Sequence, residues 1–240
     1  MATQDVTFSS DNIHLHGVLS TPTTTKSEIG ILFLHGGGHS SAERYRDVQD
    51  FFSNHGVASL AISFRGCGKS AGDFSKSTLS DRLLDADSAL QEFKLATGLS
   101  DQQIYLWGSS MGGHVAARLI SRHLQLKGLI LQSAAAYGQN AESAPFGSKF
   151  SDSIDEENNW INSHAFTDLS TYQNQTLIIY GKDDEVIPNQ VKQLYLSSAK
   201  HPQYHIISGY GHPMLRPATD IEKEAWDSMV NLVLNFISGN

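Results

Sequence analysis

The chain has little of what several large protein classes require. One cysteine, Cys67, stands among 240 residues, so no internal disulfide framework can form and a reducing compartment is the natural setting. Positive charge is also scarce. Seventeen Lys and Arg against 25 Asp and Glu leave a formal net charge of −8, and no run of basic residues occurs. That balance argues against nucleic acid and anionic membrane surfaces as partners, since both call for a basic face. No segment approaches roughly 18 consecutive apolar residues, and the opening MATQDVTFSS lacks a basic region followed by an apolar one. The expectation is a soluble, cytoplasmic protein. Internal repeats and low-complexity tracts are absent as well.

What is present is enough apolar material for one substantial core: 40% of the residues are hydrophobic and 9% aromatic. A single domain over 1–240 is expected. Two short alternating runs, 6–8 and 13–19, flank the turn-rich Ser9-Ser10-Asp11-Asn12 and predict an antiparallel hairpin. Apolar runs at 29–34, 57–63, 104–107, 126–131, 177–180 and 204–207 read as buried strands. Helical spacing appears between them, as in Leu79, Leu83, Ala86, Leu90 and Phe93, and again in Trp226, Val230, Val233 and Ile237. Alternating strands and helices imply an α/β fold with a mostly parallel central sheet and helices on both faces. From 133 to 171 periodicity is lost. Nearly forty residues without a clear element is long for a connection in a compact domain, and the segment reads as a cap insertion covering a site.

The most informative stretch is Tyr105 to Gly113, YLWGSSMGG, where strand gives way to helix. Gly108, Ser110 and Gly112 fit GxSxG, in which a serine occupies a strained turn that only glycine can flank two residues away. Ser109 fails that test, because Trp107 and Met111 would take its glycine positions. Ser110 is therefore the candidate nucleophile. A serine hydroxyl is weak at neutral pH and needs a base in contact, with a third group to orient that base. Ser110, Asp184, His212 and the loop His35-Gly36-Gly37-Gly38 all follow predicted strands, so all would gather at one edge of the sheet. The chain order Ser, Asp, His is that of one lineage of such sites.

These features together resemble the α/β-hydrolase family over nearly the whole chain. His35 to Gly38 stands in the place of the oxyanion loop, Gly108 to Gly112 is the elbow, Gly181 to Pro188 is similar to the acid loop, and Gly211-His212 to the histidine loop. The resemblance implies that Ser110 attacks a carbonyl, His212 relays the proton and Asp184 orients the imidazole. Asp183 and Glu185 compete with Asp184; the family pattern sets the acid three residues after the glycine, which from Gly181 is Asp184. The implied oxyanion donors are the amides of Gly37 and Met111. Tyr137 and Trp160, with Phe146 and Phe166, are candidates to line the acyl pocket, filling the insertion's own core being the other role open to them. Arg65 resembles a recurrent family arginine that braces neighbouring loops.

The implied activity is cleavage of small carboxylic esters by a serine hydrolase with no cofactor and no metal, acting on a small-molecule ester. Thioesters or peptides would suit the same residues. A non-catalytic binding member would be expected to have lost the serine, the base or the glycines, and none is missing. Serine at position 110, where haloalkane dehalogenases use aspartate, argues against attack on carbon by a carboxylate. Residues 64–70 are glycine-rich but lack P-loop spacing. His35 and His39 lie four apart with glycines between them and no cysteine or carboxylate cluster to complete a metal site, so His35 is expected to brace the oxyanion loop.

Overall fold

The computed structural model describes residues 2–23, 26–212 and 217–239. Eight strands form one sheet in the order β1-β2-β4-β3-β5-β6-β7-β8. They are β1 (Ala2–Ser10), β2 (Ile13–Thr21), β3 (Gly30–Leu34), β4 (Ala58–Ser63), β5 (Ile104–Ser109), β6 (Gly128–Gln132), β7 (Gln175–Gly181) and β8 (His201–Ile207). β1 pairs antiparallel with β2, β2 antiparallel with β4, and every other pairing is parallel. The hairpin turn at Asp11 and Asn12 has positive φ at both residues, 47° and 62°, a conformation Asn and Asp tolerate better than most side chains.

The central strands are buried on both faces, which is why they read as continuous apolar runs. Alternate residues feed two cores. Leu32, Leu34, Leu106, Leu131 and Ile178 pack on one side with α2 (Leu79–Thr97), α3 (Met111–Leu119) and α7 (Asn189–Ser198). Ile31, Phe33, Trp107, Ile130 and Ile179 pack on the other with α1 (Arg46–Asn54) and α8 (Asp220–Ser238). Both 19-residue helices, α2 and α8, begin in capping boxes, Thr78 with Asp81 and Thr219 with Glu222, and both stop at a left-handed glycine. Among the described residues, no helix is long and apolar enough to cross a membrane.

The 133–171 segment carries more structure than its composition suggests. It holds three short helices, α4 (Gln139–Glu142), α5 (Ser148–Ile154) and α6 (His164–Thr171). The longest, α6, spans only eight residues, too few to repeat an apolar stripe often enough to stand out in sequence. β8 likewise begins three residues before its apolar run, at the mostly exposed edge of the sheet.

Candidate active site

β3 and β5 are parallel neighbours with Leu34 opposite Gly108, so the loop after β3 runs directly beside the turn after β5. Ser110 sits in that turn at φ 54° and ψ −119°, a strained backbone for a residue with a side chain. Hydrogen bonds hold it there. Its N–H donates to the Gln132 carbonyl (3.0 Å), and its own carbonyl accepts from Gly113 (2.9 Å) and Ala135 (3.0 Å). The flanking glycines answer a close approach: a Cβ on Gly108 would collide with the Gly112 carbonyl, and one on Gly112 with the carbonyls of Leu34 and His35.

Beyond the ends of β7 and β8, two loops are fastened to each other. The Lys182 N–H donates to the Ile207 carbonyl (2.8 Å) and the Asp183 N–H to the Tyr210 carbonyl (3.2 Å). A Cβ on Gly181 would strike the Tyr210 carbonyl. This stitching brings His212 and Asp184 together: His212 Nδ1 lies 3.1 and 3.2 Å from the two Asp184 carboxylate oxygens. On the other side of the same imidazole, Nε2 lies 2.8 Å from Ser110 Oγ. The three candidate acids separate cleanly, since Asp184 is buried while Asp183 and Glu185 face solvent. One Asp184 oxygen also accepts from the N–H groups of Val186 (3.0 Å) and Ile187 (3.2 Å). Burial alone would raise its pKa; the bond to His212 and the charge that ring can carry, with the Ile187 amide, outweigh it and hold the carboxyl below its ordinary range. Pro213, next to His212, lies outside the described residues.

The loop expected to supply the oxyanion donors also meets Ser110. A Cβ on Gly36 would come within 3.2 Å of Ser110 Cβ, and one on Gly37 within 3.3 Å of Met111 Cε. Among the described residues, neither the Gly37 nor the Met111 N–H donates to another backbone group outside the regular elements. A cleft of about 310 Å³ opens here between Gly36, Gly37, Ser40 and Arg44 on one side and Ser110 and His212 on the other. A larger hollow of about 750 Å³ lies elsewhere, against Tyr105, Gln175 and His201 at the starts of three strands, and contains none of these groups. Tyr137 and Trp160 do not border the cleft. Tyr137 packs on His114 and Phe150, at ring separations of 5.3 and 5.4 Å, and Trp160 packs half-buried against the same core.

His35 is fully buried. Its Nε2 accepts from the Phe64 N–H (3.2 Å), which fixes the proton on Nδ1, and Nδ1 donates to the Gly36 carbonyl (2.8 Å). Burial drives its pKa down to about 3, so this ring is a neutral brace. Arg65 ties its own loop to α2 through Asp85 (2.7 Å) and Asp81 (2.9 Å). His39 packs on Phe74 at 4.4 Å, and among the described residues no three His, Cys, Asp or Glu side chains converge as metal ligands.

Two groups near the site escape a reading based on motifs. Gln132, at the end of β6, accepts from Trp107 Nε1 (2.9 Å) and Ser109 Oγ (2.6 Å) and donates to the Tyr210 hydroxyl. It links the elbow strand to the histidine loop behind Ser110. Arg82 lies on the apolar face of α2 and reaches the Gly36 carbonyl. Its signal was a charged residue at helical spacing from Leu79 and Ala86, on a stripe that is otherwise apolar.

The sequence profile of the family described as serine aminopeptidase, S33, matches residues 26–167. The chain belongs to this branch of the α/β hydrolases. The matched span includes the His35–Gly38 loop and the turn at Ser110 but ends before Asp184 and His212. Curated relatives match in part. The multifunctional-autoprocessing repeats-in-toxin protein of Vibrio cholerae is 33% identical over 97 residues, 40% of this chain and 2% of the toxin. The uncharacterized protein YfhR of Escherichia coli is 32% identical over 149 residues, 61% of this chain and 49% of that one. The chain thus spans less than two thirds of either relative. Among solved structures, Est1E of Butyrivibrio proteoclasticus with ferulic acid bound superposes with a TM-score of 0.74 at 22% identity, covering 97% of this chain and 99% of that one. At that identity the likeness is one of fold.

Proposed function

We propose that the protein is a serine hydrolase that cleaves small carboxylic esters through an acyl-enzyme. The observation that carries this reading is the 2.8 Å approach of His212 Nε2 to the hydroxyl of a serine at φ 54°. As Ser110 Oγ attacks the ester carbonyl carbon, its proton passes to Nε2, and the imidazolium that forms is stabilised by the Asp184 carboxylate at Nδ1. The carbonyl oxygen becomes an oxyanion facing the Gly37 and Met111 amides, each such donor lowering the barrier by about 3 kcal/mol. Collapse of the tetrahedral species breaks the bond to the alkoxy oxygen, which leaves with the proton from His212. Water then enters, gives a proton to His212 and attacks the acyl carbon; the bond to Ser110 Oγ breaks, Oγ takes that proton back from His212, and the carboxylic acid is released.

The family description supports a second reading, peptide cleavage by the same residues. The test is hydrolysis of p-nitrophenyl esters from acetate to long acyl chains, with one aromatic acyl ester and one aminoacyl p-nitroanilide, by wild-type protein and Ser110→Ala. Ester turnover that disappears in the variant is expected. Turnover of the anilide alone would move the assignment to peptidase, and full ester turnover by Ser110→Ala would end the reading.

A further inference from the structure

The mechanism leaves one buried charge beside the cleft unused. Arg82 is 1% exposed, and its guanidinium carbon lies 4.8 Å from the ring centres of both Phe64 and Phe146. Charges buried this deeply are ordinarily paired with a carboxylate. Here the carboxylate within reach along the helix, Asp85, is committed to Arg65, which donates from Nη2 (2.7 Å), Nε (3.0 Å) and its backbone N–H (2.9 Å). Cys67 Sγ sits 3.8 Å from Arg82 Nη2, and burial raises that thiol's pKa, leaving it neutral. Among the described residues, Arg82 Nε has no hydrogen-bond partner. The one oxygen among the described residues that Arg82 bonds is the Gly36 carbonyl, 3.0 Å from Nη1.

That carbonyl belongs to the peptide whose N–H is Gly37. It accepts twice, from Arg82 and from Nδ1–H of the neutral His35. In a planar trans peptide the carbonyl and the N–H point in opposite directions, so two donors anchoring the oxygen also fix where the N–H aims. A cation on the oxygen further withdraws electron density from the amide and makes that N–H a stronger donor.

We propose that Arg82 is a positioning residue that acts through the Gly36–Gly37 peptide, holding and polarising it so that the Gly37 N–H faces the oxyanion formed at Ser110. The inference rests on the ester-hydrolase reading. It concerns a residue that never touches substrate, so its effect belongs in kcat rather than KM.

The experiment compares wild type, Arg82→Met, Arg82→Lys and Ser110→Ala on p-nitrophenyl acetate, with melting temperatures for each, and measures the rate of Ser110 phosphonylation by a fluorophosphonate. Loss of a whole oxyanion donor lowers kcat about 100-fold to 1000-fold; misdirecting one is expected to lower it about 10-fold to 100-fold in Arg82→Met. Arg82→Lys, which keeps a cation but not the planar fork, is expected to lose about threefold to tenfold. KM should stay within about twofold in both, and phosphonylation should slow in the same order. Wild-type kcat in either folded arginine variant overturns the proposal, as does an equal loss in both, which would make packing the agent. If Arg82→Met fails to fold, the lysine variant decides on the same criterion. Full activity in Ser110→Ala, or a wild type inert to both ester and fluorophosphonate, would instead overturn the hydrolase reading on which it rests.

Discussion

His212 stands between two partners, with Nε2 2.8 Å from Ser110 Oγ and Nδ1 3.1 Å from the nearer Asp184 oxygen. That geometry fixes the proton on Nδ1 and leaves Nε2 as the acceptor of the serine proton. Asp184→Asn should keep the fold, because the side chain can still accept from Val186 and Ile187, yet it presents an amide N–H to Nδ1 and favours the wrong tautomer. On the serine-hydrolase reading, kcat for p-nitrophenyl acetate falls about 10⁴-fold in this variant, with the melting temperature within a few degrees. A variant within tenfold of wild type would remove Asp184 from the orienting role.

The elbow predicts a separate failure, one of folding. In Gly112→Ala the new methyl would press on the carbonyls of Leu34 and His35, which cannot move without displacing β3 from β5. Overpacking against backbone of this kind destabilises by roughly 1–3 kcal/mol or more. Thermal unfolding should show the loss, with Ser110 phosphonylation reduced because the turn that aims the serine is displaced. Gly98→Ala, at a helix end with nothing within 4 Å of the added carbon, should lose far less, and only through its left-handed φ of 72°.

The fold and the candidate triad were legible in sequence for one reason. Each of Ser110, Asp184 and His212 follows a strand, and glycines mark the tight places where those loops approach each other. The insertion was less legible, since α4 and α5 are too short to show a period, and its aromatic residues serve a local core as readily as a pocket. Arg82, Gln132 and Tyr210 were hidden for another reason. Their partners are backbone carbonyls or residues tens of positions away, and no spacing rule records such contacts.

Gln132 offers a test of the region behind the serine. Its side chain satisfies Trp107 Nε1, Ser109 Oγ and the Tyr210 hydroxyl at once, all in the buried interior. Gln132→Leu is nearly isosteric and removes every one of these bonds. Each donor left without an acceptor costs about 1–3 kcal/mol, so a loss of about 2–4 kcal/mol is expected by urea unfolding. Gln132→Glu should recover part of it by accepting from Trp107 and Ser109. A neutral Gln132→Leu would show that water replaces the amide.

The link between the insertion and the elbow helix should respond to acid. Glu142, at the end of α4, contacts Arg118 (2.9 Å) and His114 (3.5 Å), both on α3. Burial opposes ionisation of this carboxyl, but its bonds to His114 and Arg118 prevail and hold its pKa near 2, against an ordinary 4.5. A carboxyl whose pKa is depressed on folding binds fewer protons in the folded state than in the unfolded one. Its stabilising effect is therefore complete above about pH 4.5 and is lost as pH falls toward 2. Glu142→Gln should be less stable than wild type at pH 7 by about 1–3 kcal/mol. The gap should narrow as the pH is lowered from 4.5 toward 2, read as converging midpoints of urea unfolding across that window. A gap that stayed constant with pH would mean that Glu142 acts through hydrogen-bond geometry and not through charge.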